Sequence, residues 1–286
     1  MNNKKRNILS IVMVLAGTLT SIIIHNLLPS PGADISDTTM DSIFVKAFGF
    51  PAVASFYFIF IFSYALFIIR YFGKNSTLSA SGTGLRYGLS AGLLYITGMQ
   101  EVIVDSSPFD EYGKDFIIYE FWMGLGDAVP VFLFGIAAGI VFLKNRSALS
   151  SCDTSGCRLP AKKMLSGILL IAVMIFAART AGNYTGLYAS NADRYPVQTM
   201  IWTAVFGITL GFIYFLLRPV FIRHKHFYIL TPVLMTGVNW MWFNSFIVLI
   251  MADTAAQMLI RSGTDTLVLT AGVVIFEKIA AKDKTA

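Results

Sequence analysis

The chain has 286 residues, 56% of them hydrophobic and 13% charged, with a net charge of +6 and a mean hydropathy of +0.67. Soluble domains carry about 25% charged residues, so the composition leaves no room for a soluble domain and points to an all-α polytopic membrane protein. The basic excess invites a nucleic-acid partner, but the placement of those residues assigns them to membrane topology and leaves none for nucleic acid.

A membrane-spanning helix needs roughly 20 mainly apolar residues. Eight stretches meet that need, at about 7–28, 50–71, 86–105, 119–143, 164–183, 197–217, 228–251 and 255–276. The first follows Lys4, Lys5 and Arg6 and runs on into His25-Asn26-Leu27-Leu28-Pro29 without a small-x-small cleavage pattern. It is longer than a signal-peptide core and is read as a retained helix. The following loop carries Asp34, Asp37, Asp41 and Lys46, and its Met40–Phe50 piece has the makings of a short interfacial helix.

The third stretch contains Thr97-Gly98-Met99-Gln100-Glu101 and is followed by an acidic loop from Asp105 to Asp115. The fourth carries Asp127 and Pro130, where a kink is expected. A polar, basic linker over 147–163 contains Cys152 and Cys157. The fifth stretch ends with Arg179 and Asn183, the sixth at Arg218-Pro219, the seventh carries Asn239 and Asn244, and the eighth Arg261 and Asp265.

With eight spans, 17 of the 22 basic residues fall on the side of the N-terminus and three on the other. That is the positive-inside pattern of a plasma-membrane protein with both termini cytoplasmic. The two cysteines are then in a reducing compartment, and two ligands do not close a zinc site. No cofactor or metal is expected.

The two halves, 1–146 and 164–286, look related. Thr97-Gly98-x-Gln100 is echoed by Thr236-Gly237-x-Asn239, and Asp127 by Asp265, at offsets of 139 and 138. Four spans per half make the repeat parallel, 4+4, as in the halves of some transporters.

Polar groups inside spans are costly and tend to be functional. Glu101, Asp127, Arg179, Arg261 and Asp265 lie roughly 6–16 Å in from the outer ends of their spans at a rise of about 1.5 Å per residue, and Asn239 lies near the middle of its own. They are expected to converge on one outward-opening pocket. Gln100, about 100° round the helix from Glu101, belongs at its edge or against a neighbouring helix. Arg261 and Asp265, four apart, are expected to pair directly. That leaves Arg179 for Glu101 or Asp127, and one carboxylate over as a candidate proton carrier.

The function these features favour is a transporter or solute-binding permease, with membrane lipid and a small solute or proton as partners. The alternatives are a non-catalytic membrane component (a sensor, immunity factor or complex subunit) and an intramembrane enzyme acting on lipid at the outer face. The enzyme reading lacks any H-E-x-x-H or G-x-S-x-G motif, and two of the three histidines, His224 and His226, lie among the inside charges.

Overall fold

A computed structural model describes residues 3–28, 40–103, 113–144, 159–187, 190 and 192–282, with backbone only at 102–103 and 113–117. Asp34, Asp37, Asp105, Cys152, Cys157 and most of the linker lie outside the described residues. The described residues form helices and no strand: α1 (Asn3–Leu27), α2 (Ile43–Phe48), α3 (Phe50–Tyr71), α4 (Ala80–Met99), α5 (Gly113–Leu143), α6 (Ala161–Thr185), α7 (Pro196–Phe221), α8 (Phe227–Pro232), α9 (Met241–Ile250) and α10 (Ala255–Lys282). A π-helical segment, Val233–Trp240, joins α8 to α9 into one continuous rod.

Seven of these rods are long and apolar enough to cross a membrane, α4 being the long helix left out. At 20 residues α4 has the length, but glycine, serine and threonine dilute its apolar character. It starts six residues before the expected third span and ends at Met99, so Glu101 sits on a 3-10 turn, Gln100–Ile103, beyond the helix end. What α4 lacks in lipid-facing side chains it makes up in close packing. Gly84, Gly88 and Gly92 form a ridge that lies on α5. A Cβ added at Gly88 would stand 2.6 Å from the Phe132 carbonyl oxygen, and one at Gly139 of α5 would stand 2.5 Å from that of Ala80. A Cβ at Gly84 would overlap the Gly135 carbonyl. This is small-x-x-x-small packing, in which two backbones touch. Gly207 and Gly211 of α7 do the same against Ala172 and Ile168 of α6.

Other departures from the expected elements have local causes. The α5 helix runs on through Pro130, and α7 passes Pro219 to end at Phe221. At Pro232 the chain does change register. Proline brings no N–H and its ring crowds the preceding turn, and the wide π turn starts at the next residue. The short helix α2 is present and is capped by Ser42, whose Oγ accepts from Val45 N.

Loops tie the helix ends into two layers. At one end Ser42 Oγ donates to the Leu249 carbonyl at 2.6 Å, and Ala252 N donates to Asp41 at 2.9 Å. At the other, Thr77 donates through N and Oγ1 to the Pro219 carbonyl, both at 3.1 Å, and Arg86 donates to the Leu216 carbonyl at 3.2 Å. The second layer also holds Arg6, Arg70, Lys74, Arg223, Lys225 and Lys282 and is called the basic end below. Between the layers the core is aromatic, with Tyr57, Tyr87, Tyr95, Phe206 and Trp240 all at or below 1% exposure.

Candidate functional site

Four of the residues singled out in the sequence close on one another near the end opposite the basic one. Arg179, from the last turns of α6, is the hub. Its Nη1 donates to Glu101 Oε1 at 2.6 Å, while Nε and Nη2 form a fork on the two oxygens of Asp265 at 2.8 and 2.5 Å. Such two-point Arg–carboxylate contacts fix geometry as well as charge. Arg261, one turn before Asp265 on α10, places Nη1 3.4 Å from the same Glu101 oxygen. Two cations and two anions meet there, a formally neutral set. All are buried, with Glu101 at 7% exposure the most open and Asp265 at 1% the least.

Aromatic rings complete the enclosure. The Arg179 guanidinium lies 4.8 Å from the Trp202 ring and 4.6 Å from that of Phe206, both on α7. Trp240 donates its indole N–H to Asp265 Oδ2 at 3.0 Å. Trp202 donates to the Thr97 carbonyl, also at 3.0 Å. These contacts explain the Thr97-Gly98 step. A Cβ on Gly98 would come 2.5 Å from the Trp240 ring, so only glycine lets that ring lie against the end of α4. The α4 backbone then turns into the 3-10 segment that presents Glu101.

The expected direct pair between Arg261 and Asp265 is therefore replaced. Both stand on one face of α10, but Asp265 takes its cation from Arg179 across the helix interface. A guanidinium fork reaching from another helix meets both carboxylate oxygens at once, and Arg261 is left to reach Glu101.

Asp127 and Asn239 do not join this set. Asp127, on α5, has His25 Nε2 of α1 at 3.4 Å, and neither of its oxygens has a hydrogen-bond partner. The left-over carboxylate is thus Asp127. Asn239 accepts from Tyr95 of α4 at 2.7 Å through Oδ1, and its Nδ2 is buried without a partner, as is Gln100 Nε2. The single expected pocket resolves into a charge network, a histidine–aspartate contact and an amide–tyrosine contact.

The aromatic residues around Arg179 were not among the residues singled out in the sequence. Four tryptophans in a chain this apolar were a signal, since a buried indole N–H needs an acceptor. A second charged centre, at the basic end, was not singled out either. There Arg218 Nε donates to Glu277 Oε1 at 2.7 Å, and Tyr214 donates to the same oxygen at 2.7 Å. Glu277 lies one residue past the expected eighth stretch, next to Lys278.

Compared with protein-family models, with curated proteins and with solved structures, the chain matches none of them.

Proposed function

We propose that this protein is a plasma-membrane transporter or solute-binding permease with eight spans and cytoplasmic termini, whose Glu101–Arg179–Arg261–Asp265 network is its solute site. The observation that carries the reading is the shared oxygen of Glu101. It bonds Arg179 at 2.6 Å and faces Arg261 at 3.4 Å, so two guanidiniums converge on one carboxylate oxygen. A small solute bearing a carboxylate can take the place of Glu101 at Arg261 without exposing a bare charge. Glu101 sits on a 3-10 turn past the end of α4, where backbone shifts are cheaper than inside a helix. The basic layer at the opposite end supports the orientation.

A parallel repeat is part of this proposal. In each half a basic side chain on the first long helix meets an aspartate on the last, His25 with Asp127 and Arg179 with Asp265. The glycine-packed pair is differently placed, α4 with α5 in one half and α6 with α7 in the other, so the repeat is one of charge contacts more than of packing.

A second reading has its own observation. The network satisfies its own charges and is stacked between aromatic rings, as a helix-locking centre in a non-catalytic membrane component would be. Thermal stabilisation of the purified protein, screened over small carboxylates, amines and amino acids, separates the two. The transporter reading expects stabilisation by one class, lost in Arg261→Gln, together with counterflow uptake into proteoliposomes. No stabilisation by any class and no uptake would leave the locking centre.

A further inference from the structure

The contact between His25 and Asp127 is missing something. His25 Nδ1 lies 2.8 Å from the Ser21 carbonyl oxygen, which can only accept, so Nδ1 carries the hydrogen. In a neutral imidazole the other nitrogen is then a bare acceptor. That nitrogen, Nε2, faces Asp127 Oδ1 at 3.4 Å, and an ionised carboxylate is also acceptor-only. Two acceptors face each other in a site where Asp127 is 4% exposed and neither of its oxygens is bonded.

Among the described residues no side chain supplies a substitute donor at Oδ1. Tyr57 of α3 and Tyr95 of α4 are within electrostatic reach of Asp127, as is Glu120, two turns earlier on α5. The Tyr95 hydroxyl is committed to Asn239. The hydroxyls of Tyr57 and Ser21 are buried without partners. Among the described residues around Asp127, His25 is the side chain that can take up a proton and become cationic. Gly126 makes the fit possible, since a Cβ there would press on the His25 ring at 2.9 Å.

We infer that His25 and Asp127 form a proton-binding site, the proton being held on Nε2 and shared towards Oδ1. Loaded, the pair is an imidazolium and a carboxylate with no net charge. Unloaded, it leaves one buried negative charge. A sodium ion would neutralise the carboxylate equally, but hard cations select oxygen ligands, whereas an imidazole binds protons near neutral pH. The site goes beyond the solute network and stands without it.

The test uses the full chain in lipid nanodiscs with ring-15N histidine. His25→Gln identifies the His25 signals among the three histidines. At pH 7 both ring nitrogens of His25 should resonate at imidazolium positions. In Asp127→Asn they should split into one protonated and one bare nitrogen, and replacing sodium chloride by choline chloride should change nothing. A neutral His25 in the unmodified protein overturns the proposal, and this arm does not depend on any variant folding. Signals that move when sodium is withdrawn overturn it in favour of a sodium site.

A different observation carries a second site. Arg6 of α1 and Arg70 of α3 stand over the same Phe142 ring, 6.0 and 5.3 Å from its centre. Arg70 donates to Ser10 Oγ at 2.8 Å, and no ion pair among the described residues includes either arginine. Below them a groove of about 570 Å³ runs between α1 and α3, lined by Ile11, Val14, Leu15, Ile59, Phe67 and Lys74 among others. Adjacent guanidiniums without an anion call for one, and the apolar trough fits an acyl chain. The geometry points to an anionic phospholipid, headgroup on Arg6 and Arg70. Native mass spectrometry of protein from mixed phosphatidylglycerol–phosphatidylcholine nanodiscs should show phosphatidylglycerol retained several-fold over phosphatidylcholine. The excess should vanish in Arg6→Gln with Arg70→Gln. Equal retention of the two lipids, or an excess that survives the double substitution, refutes the site.

Discussion

The partner of Asp265 is the sharpest point at which geometry and sequence spacing disagree, and a double-mutant cycle decides it. Asp265 receives two bonds from Arg179 and one from Trp240, while Arg261 stands on its own helix, four residues away. Asp265→Asn keeps the shape and the Trp240 contact but removes the charge. Hydrogen bonds to charged groups contribute about 1.5–3 kcal/mol each, and breaking a buried pair by removing one partner costs about 3–5 kcal/mol. Asp265→Asn and Arg179→Gln should therefore each destabilise by about 3 kcal/mol or more. Together they should fall short of the sum by about 2–3 kcal/mol, the upper range for directly coupled residues. Arg261→Gln with Asp265→Asn, which are linked through Glu101 and Arg179, should show the smaller coupling of the two pairs. The assay is reversible unfolding by SDS in mixed bicelles, followed by tryptophan fluorescence. Stronger coupling of Asp265 to Arg261 than to Arg179 would refute the assignment and restore the intrahelical pair.

Four further outcomes are expected. Gly84→Ala should prevent the α4–α5 contact and reduce the yield of monodisperse protein sharply, because the added carbon overlaps the Gly135 carbonyl. Gly263→Ala on α10, where nothing lies within 4 Å, should stabilise by about 0.5–1 kcal/mol from helix propensity alone; destabilisation there would mean that α10 packs otherwise. Trp240→Phe keeps the ring and removes the N–H to Asp265, and should cost about 1.5–3 kcal/mol in the same unfolding assay. For topology, a cysteine introduced at Ser107 should react with an impermeant maleimide added outside cells, and Cys152 and Cys157 should not; the reverse labelling would invert the protein in the membrane.

The helices were legible because apolar length is a strong signal, and the ends were not. Hydropathy places the third span from Arg86 onward, since Ala80–Gly84 is Ser, Gly and Thr. The structure starts the helix at Ala80, because those small residues are what lets α4 lie against α5. A scale that scores transfer to lipid undervalues a helix that faces another helix. The same limit hid the π segment, which follows from Pro232 and from packing together. The cost of burying charge singled out Glu101, Arg179, Arg261 and Asp265, and the fold brings these four together. Which charge met which was not in the spacing, because α6, α4 and α10 come together only in the fold. Asp127 was assigned to the same group on depth alone, and depth does not give azimuth: its face of α5 turns towards α1.

The π segment is where the two centres come closest to sharing a part. Asn239 accepts from Tyr95, which lies within reach of Asp127. The next residue, Trp240, donates to Asp265 in the charge network. In a regular α-helix successive residues point about 100° apart. The wide turn opened by Pro232 alters that setting, so the two neighbours serve different centres while both stay at or below 2% exposure. Wide turns of this kind are frequent at functional sites. A return to α geometry would rotate both contacts at once. Pro232→Ala restores the missing N–H and removes the steric cause of the wide turn. It should therefore weaken the Tyr95–Asn239 and Trp240–Asp265 bonds together, lowering stability although alanine is the better helix former. If Pro232→Ala instead stabilises the protein, the π geometry is dictated by the packing of Asn239 and Trp240 and not by the proline.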